Sequence, residues 1–288
     1  MVYDPNGERW REFHVTPRYL AGPTETGEPA LRPLLGQGWT RTHDKLGNIY
    51  ADAPDQRVRL GYLPEGEDDA LWKITAYSDS FATARWLVTF QDSAPTEIVA
   101  GFTTALAAAY AQGPDSYLHY SDDYQAVMNV IAPLAAAGWS QRFGIDDVFT
   151  VRSPDGLAEV QLRRSLLDHD DEMTGYQERW LTLAGPPGNQ WYATASSLTP
   201  EGLVAAMNTA LTDPAPLIRY GDDLRHLPPQ ATATPVTPIV PTLLDILRAH
   251  AANARTTFAL PGTATRPVIP GPHQPPAPQH PQHPGPGR

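Results

Sequence analysis

Three kinds of residue in this chain could do chemistry: histidines, paired acids, and arginines interleaved with tyrosines. A histidine relay needs its base within hydrogen-bond reach of a nucleophile. His14, His43, His119, His169, His226 and His250 are scattered, with no partner two or four residues away on a helical stretch. His273, His280 and His283 could take up zinc or nickel as neutral imidazoles, but their spacing matches no preformed site and a proline-rich chain offers no supporting shell. The acid pairs Asp68-Asp69, Asp122-Asp123, Asp146-Asp147, Asp170-Asp171-Glu172 and Asp222-Asp223 are adjacent in sequence. Neighbours point opposite ways on a strand and diverge on a helix, so these read as solvated loop acids. The chain has no cysteine, which removes disulfides, thiolate nucleophiles and cysteine zinc sites. It also lacks a P-loop, a dinucleotide fingerprint and an EF-hand loop. The expectation is a protein that is not an enzyme, with no catalytic residue, no metal and no cofactor.

The arginines and tyrosines give a binding candidate. Arg57, Arg59, Arg85, Arg163 and Arg179 fall in strand-like segments, joined by Tyr77 and Tyr192. Side chains on a strand alternate between faces, so these seven are expected on the outward faces of sheets, either stacking a ligand or pairing with acids on neighbouring strands. Arginine and aromatic side chains on an open sheet can stack single-stranded bases. The net charge of −11 opposes nucleic acid at long range. The residues after Leu227 carry Arg248, Arg255, Arg266 and Arg288 against Asp245 alone, so the rest of the chain is more acidic still.

The elements that must position these residues come in two copies. Pro33-Leu34 and Gly38-Trp39-Thr40 recur as Pro133-Leu134 and Gly138-Trp139-Ser140, about one hundred residues on. Ile49-Tyr50 aligns with Val148-Phe149, Pro54-Asp55 with Pro154-Asp155, and Val58 and Leu60 with Val160 and Leu162. Trp72 and Trp86 align with Trp180 and Trp191, and Tyr120 with Tyr220. Pro95 and Pro200 open segments ending Thr104-Ala105-Leu106 and Thr209-Ala210-Leu211.

Within the first copy, residues 47–53 and 56–63 form a hairpin, turned by Pro54-Asp55. Residues 70–77 and 83–91 form a second, in which Trp72, Ile74, Ala76, Trp86, Val88 and Phe90 share a face. Pro95-Thr96-Glu97 starts a helix and Gly113-Pro114 ends it. In the second copy the strands are 147–153, 157–164, 179–184 and 190–196, followed by a helix from Pro200. A helix over 124–137 precedes them, with a shorter counterpart at 30–37. The acidic connection 166–177 is expected to be solvated or mobile.

The expected fold class is α+β: two tandem modules, 14–120 and 121–225, each a four-stranded antiparallel meander covered by its C-terminal helix. The modules could pair edges or pack sheet on sheet. The tryptophans read as core anchors. A flexible proline-rich tail over 226–288 holds about half of the 31 prolines. Within it, 242–255 forms a short amphipathic helix bearing Leu243, Leu244 and Leu247, which either docks on the second module or hooks a partner.

The runs Pro17-Arg18-Tyr19-Leu20-Ala21-Gly22, Gly38-Trp39, 54–60 and 95–102 resemble an actinomycete family, the domain of unknown function numbered 317, common in Streptomyces and its mobile elements. The resemblance covers most of 17–120 and implies fold and lineage, without catalytic residues. The second copy departs more, with Gly202 after its helix start and Phe149 in place of an aromatic tyrosine. No secretory h-region opens the chain, and no apolar stretch is long enough to span a bilayer, so a cytoplasmic location and no membrane association are expected. The functional expectation is an interaction or adaptor protein whose partner is another protein. The alternative is a single-stranded nucleic-acid binder associated with mobile elements.

Overall fold

A computed structural model describes residues 8–24, 26–64, 70–121, 123–144 and 147–236. The chain divides into one unit over Met1–Val236 and another over Thr237–Arg288. The helix expected at 242–255, with Leu243, Leu244 and Leu247, lies outside the described residues.

After β1 (Glu12–Thr16), the first copy runs α1 (Glu28–Leu35), β2 (Thr40–His43), β3 (Ile49–Asp52), β4 (Val58–Tyr62), β5 (Ala70–Tyr77), β6 (Ala84–Gln91) and α2 (Thr96–Gln112). A short α3 (Pro114–Leu118) leads to the second copy: α4 (Tyr124–Ala136), β7 (Ser140–Phe143), β8 (Val148–Arg152), β9 (Ala158–Arg163), α5 (His169–Met173), β10 (Trp180–Ala184), β11 (Trp191–Ala195) and α6 (Glu201–Thr212). The described part closes with β12 (Leu217–Tyr220) and β13 (Thr232–Pro235).

The fold is α+β with antiparallel sheets. Ten strands form one sheet in the order β2-β3-β4-β5-β6-β11-β10-β9-β8-β7. Each copy thus supplies five consecutive strands, one more than the hydrophobic pattern gave. The added strands, β2 and β7, are exposed at every position, so no buried–exposed alternation is written into their sequence. Of the two arrangements left open for the modules, edge pairing is the one adopted: β6 pairs with β11, setting Val88, Thr89 and Phe90 against Ala195, Thr194 and Ala193.

One face of this sheet is apolar. Trp72, Ile74, Ala76, Trp86, Val88 and Phe90 are each at most 1% exposed, and Trp180, Trp191, Ala193 and Ala195 lie on the same face of the second copy. The helices cover that face. Phe102 of α2 meets Trp86 and Phe90 edge-on, and α2 packs on both α1 and α6, which in turn packs on α4. Thr103 of α2 donates to the Ala30 carbonyl at 2.7 Å, and its counterpart Asn208 of α6 donates to the Val130 carbonyl at 2.9 Å. Both polar groups are buried, so each helix pair is pinned where loss of the bond would leave an unpaired donor.

Strand pairing fixes the correspondence between the copies and corrects part of it. Trp72 pairs with Tyr62, and Trp180 with Leu162; Trp86 pairs with Ala76, and Trp191 with Ala184. The tryptophan matches therefore hold. Trp39 and Trp139 also match: each follows a glycine at positive φ, and each donates its backbone N–H to the helix leucine Leu34 or Leu134. The hairpin matches shift. The backbone N–H groups of Ala53 and Ser153 donate equivalently to the carbonyls of Val58 and Ala158, so Val58 corresponds to Ala158, Leu60 to Val160 and Tyr62 to Leu162, while Ile49 corresponds to Phe149. Residue likeness suggested a register two residues off for Val58 and Leu60, where period two makes apolar residues look alike, and one residue off for Ile49.

Two further features were not legible as pattern. A three-stranded sheet, β12-β1-β13, joins chain from before the first copy to chain after the second. Arg219 of β12, 1% exposed, binds Glu97 through both terminal nitrogens at 2.7 and 2.8 Å and the carbonyls of Ala21 and Gly22 at 3.0 and 2.8 Å. The acidic connection 166–177, expected to be solvated or mobile, is folded. Asp168 caps α5 by accepting from the Asp170 and Asp171 backbone, and Glu172 is 3% exposed, accepting from Ser197 N at 2.6 Å and Ser197 Oγ at 2.8 Å.

Candidate binding surface

The face of the ten-stranded sheet opposite the helices is polar by strand alternation. On β4 and β5, Arg59 lies opposite Thr75, and Lys73 and Tyr77 flank Thr75 on the same face. The Arg59 guanidinium lies 5.0 Å from the centre of the Tyr77 ring, within cation–π range. The Thr75 hydroxyl donates to Tyr77 Oη at 3.2 Å. Across the seam, Tyr192 and Thr194 of β11 continue this face, and exposed Arg163 ends β9.

Arg59, Tyr77, Tyr192 and Arg163 therefore sit on the outward face, as alternation requires. The other three candidates are placed elsewhere. Arg57 belongs to the turn, where its backbone N–H donates to Asp55 Oδ1 at 3.1 Å and its Nε lies 3.9 Å from Asp55 Oδ2. Arg85 donates from Nε to the Leu118 carbonyl at 2.9 Å. Arg179 is 5% exposed, with Nη1 donating to Tyr120 Oη at 3.1 Å and its guanidinium 5.6 Å from that ring. The reasons are local. Arg57 and Arg179 each precede the first residue of a strand, where alternation is not yet enforced, and Arg85 neighbours an irregularity in the β5–β6 register.

Two adjoining hollows mark this face. One of about 490 Å³ is lined by Tyr50, Arg59, Lys73 and Thr75 among others. The second, of about 610 Å³, shares Lys73 and Thr75 and reaches Thr89, Tyr192 and Thr194, with Glu172 and Gln177 on its far wall. Alternation alone places these residues: Lys73 and Thr75 share the parity of Tyr77 on β5, and Thr89 lies between inward Val88 and Phe90 on β6.

The α5 segment forms the wall. His169 Nε2 is 2.8 Å from the Ala84 carbonyl and anchors α5 to β6. Burial pushes the Glu172 carboxyl above the usual range, partly offset by its bonds to Ser197 and by the charges of His169 and Arg179. Burial likewise raises Glu178, opposed by Arg163. Among the described residues, no three acid or histidine side chains gather to hold a metal ion, and no helix is long and apolar enough to cross a membrane.

Fold and surface together define a duplicated α+β protein, helix-covered on one sheet face and open on the other. The family profile of SPDY, a domain of unknown function (DUF317), matches residues 52–111 and again 152–217. The two matches fall on equivalent stretches of the two copies, consistent with two tandem copies of this domain: the first runs from the end of β3 to the last turn of α2, the second from the end of β8 past α6 to the start of β12. No curated protein and no solved structure gives a significant match to the chain.

Proposed function

We propose that this protein is a non-catalytic interaction protein, and that its partner, another protein, lies along the open face of the ten-stranded sheet. The observation that carries this reading is the hollow pair running from Tyr50 past Arg59, Lys73 and Thr75 to Tyr192, across the seam between the copies. Tyrosine supplies large contact area at low entropic cost, and flanking threonine and arginine supply directional hydrogen bonds, which is the composition of an adaptable protein-binding surface. The histidines support the non-catalytic part: His169 is spent on anchoring α5, and His14 and His43 lie on separate sheets. A cytoplasmic setting belongs to the same proposal.

The test is capture from a native lysate with wild-type protein and with an Arg59→Ala/Tyr77→Ala variant. A stoichiometric partner retained by the first and lost by the second is the expected result. No stoichiometric partner, or equal capture by both, ends the reading.

The stacked Arg59–Tyr77 pair favours a second reading, a single-stranded nucleic acid with bases on Tyr77 and neighbouring rings. Fluorescence anisotropy with labelled single- and double-stranded oligonucleotides at low salt separates the two. Binding of single strands that weakens steeply with salt would move the assignment to nucleic acid.

A further inference from the structure

The two copies serve as internal controls for each other, and one of their differences on the helix-covered side of the sheet changes the space under the first helix of each copy. In the first copy, the Tyr62 ring packs on Trp72 with centroids 4.6 Å apart. Gly27, just before α1, lies against both rings; a Cβ there would come within 2.7 Å of Trp72 and 3.3 Å of Tyr62. The space between α1 and the outer strands is thus filled by aromatic carbon.

In the second copy, the counterparts of Tyr62, Gly27 and Leu71 are Leu162, Val127 and Arg179. Val127 restores some volume from the helix side, but Leu162 is smaller than tyrosine. A cavity of about 280 Å³ remains between α4 and strands β7 to β9, walled by Val127, Met128, Ile131, Phe149 and Leu162. At its mouth stand Tyr124 and Phe143, 75% and 78% exposed, with the Phe143 ring 4.8 Å from that of Phe149. Aromatic carbon so exposed beside an apolar cavity extends the cavity wall into solvent.

The cavity is not only apolar. Arg179 lines it, buried at 5% exposure, and its Nε has no hydrogen-bond partner. Burying a guanidinium N–H without an acceptor is costly, and the counterpart position in the first copy holds a leucine. Arg164 also lines the cavity, more exposed, its Nε 3.7 Å from Asp147. Two glutamates that feel the charge of Arg179 make their hydrogen bonds to other groups: Glu172 accepts from Ser197, and Glu201 from the Ser121 backbone at 2.7 Å.

We propose that this cavity binds a small apolar carboxylate, its aromatic or aliphatic body among Ile131, Phe143, Phe149 and Leu162 and its carboxylate on Arg179, with Arg164 at the mouth. The volume suits a compact molecule, at the small end of ligand pockets. The site lies on the opposite side of the sheet from the open face and stands or falls independently of the function proposed above.

The experiment is calorimetric titration of the full chain with 2-naphthoate and decanoate, alongside the neutral 2-naphthamide. At least one acid should bind with one-to-one stoichiometry, and 2-naphthamide should bind at least about tenfold more weakly than 2-naphthoate. Arg179→Leu should erase the preference for acid over amide. Leu162→Tyr, which installs the residue of the first copy, should abolish binding with its thermal midpoint preserved. Neither acid binding below about 1 mM, or acid and amide binding wild type equally, overturns the proposal. So does undiminished affinity in folded Leu162→Tyr. The acid–amide comparison on wild type decides the matter even where a variant fails to fold.

Discussion

Thr89 and Thr194 occupy the same position in the two copies and face each other across the seam, their hydroxyls 2.7 Å apart. A residue can pair with its own counterpart only on a local two-fold axis, so the duplicated halves meet about this threonine pair. The flanking pairs obey the same symmetry: Val88 faces Ala195 and Phe90 faces Ala193. Thr89 is 8% exposed, so its hydroxyl depends on its partner. Thr194→Val should cost about 1 kcal/mol in urea denaturation, because it strands the Thr89 hydroxyl. The Thr89→Val/Thr194→Val double variant should cost less than the sum of the singles. Strict additivity would show that the two hydroxyls do not interact.

The same symmetry couples the tryptophans. Trp86 Nε1 donates to the Tyr117 carbonyl at 2.8 Å, and Trp191 Nε1 donates to the Tyr19 carbonyl at 2.9 Å. Trp86→Phe and Trp191→Phe each lose an indole ring's volume and a buried hydrogen bond, at about 2 to 4 kcal/mol. The two losses should agree to about 1 kcal/mol. A wide gap between the two denaturation midpoints would mean the sites are not energetically equivalent.

Arg219 binds the small sheet to α2. Arg219→Leu leaves Glu97 and the Ala21 and Gly22 carbonyls without their donor and should cost about 3 kcal/mol, with Glu97 partly solvated and able to recover some water. Glu97→Gln keeps hydrogen-bonding capacity and should cost distinctly less. Equal losses on thermal unfolding would contradict the asymmetry.

Glu172 predicts a pH effect. Its folded pKa lies above the unfolded value, so the stability tied to its protonated form is fully present below about pH 4.5 and is lost as pH rises through the folded value. Glu172→Gln, which cannot ionise, should show a weaker fall in stability over that rise. Asp155 works in the opposite direction. Its pKa is depressed by bonds from Ser153 and Tyr19 that outweigh burial, so its contribution fades as pH falls below the usual carboxylate range. Denaturation midpoints from pH 4 to pH 8 that run parallel in wild type and Glu172→Gln would refute the assignment.

On the open face, Arg59→Ala and Lys73→Ala should change stability by no more than about 0.5 kcal/mol, since neither side chain packs in the core. A loss of several kcal/mol would place them in the structural framework and away from a binding surface.

The sequence by itself determined the duplication, the inward tryptophans, four of the five strands in each copy and the helix that covers them. Those features are local: period-two alternation, helical spacing, and turn residues such as Pro54-Asp55 are written within a few positions of one another. It also placed Arg59, Tyr77, Arg163 and Tyr192 on the outward face, because each lies inside a strand or at its end where alternation holds. It misplaced Arg57, Arg85 and Arg179, whose orientations depend on a turn, a register irregularity and Tyr120. Only the tertiary structure decided that the copies join edge to edge through Thr89 and Thr194, that Arg219 reaches Glu97 across the chain, that the acidic α5 segment folds over the seam, and that Leu162 leaves a cavity where Tyr62 fills one. Each of these turns on groups brought together from distant parts of the chain, and residue periodicity carries no record of which distant partner a backbone edge or a buried charge will find.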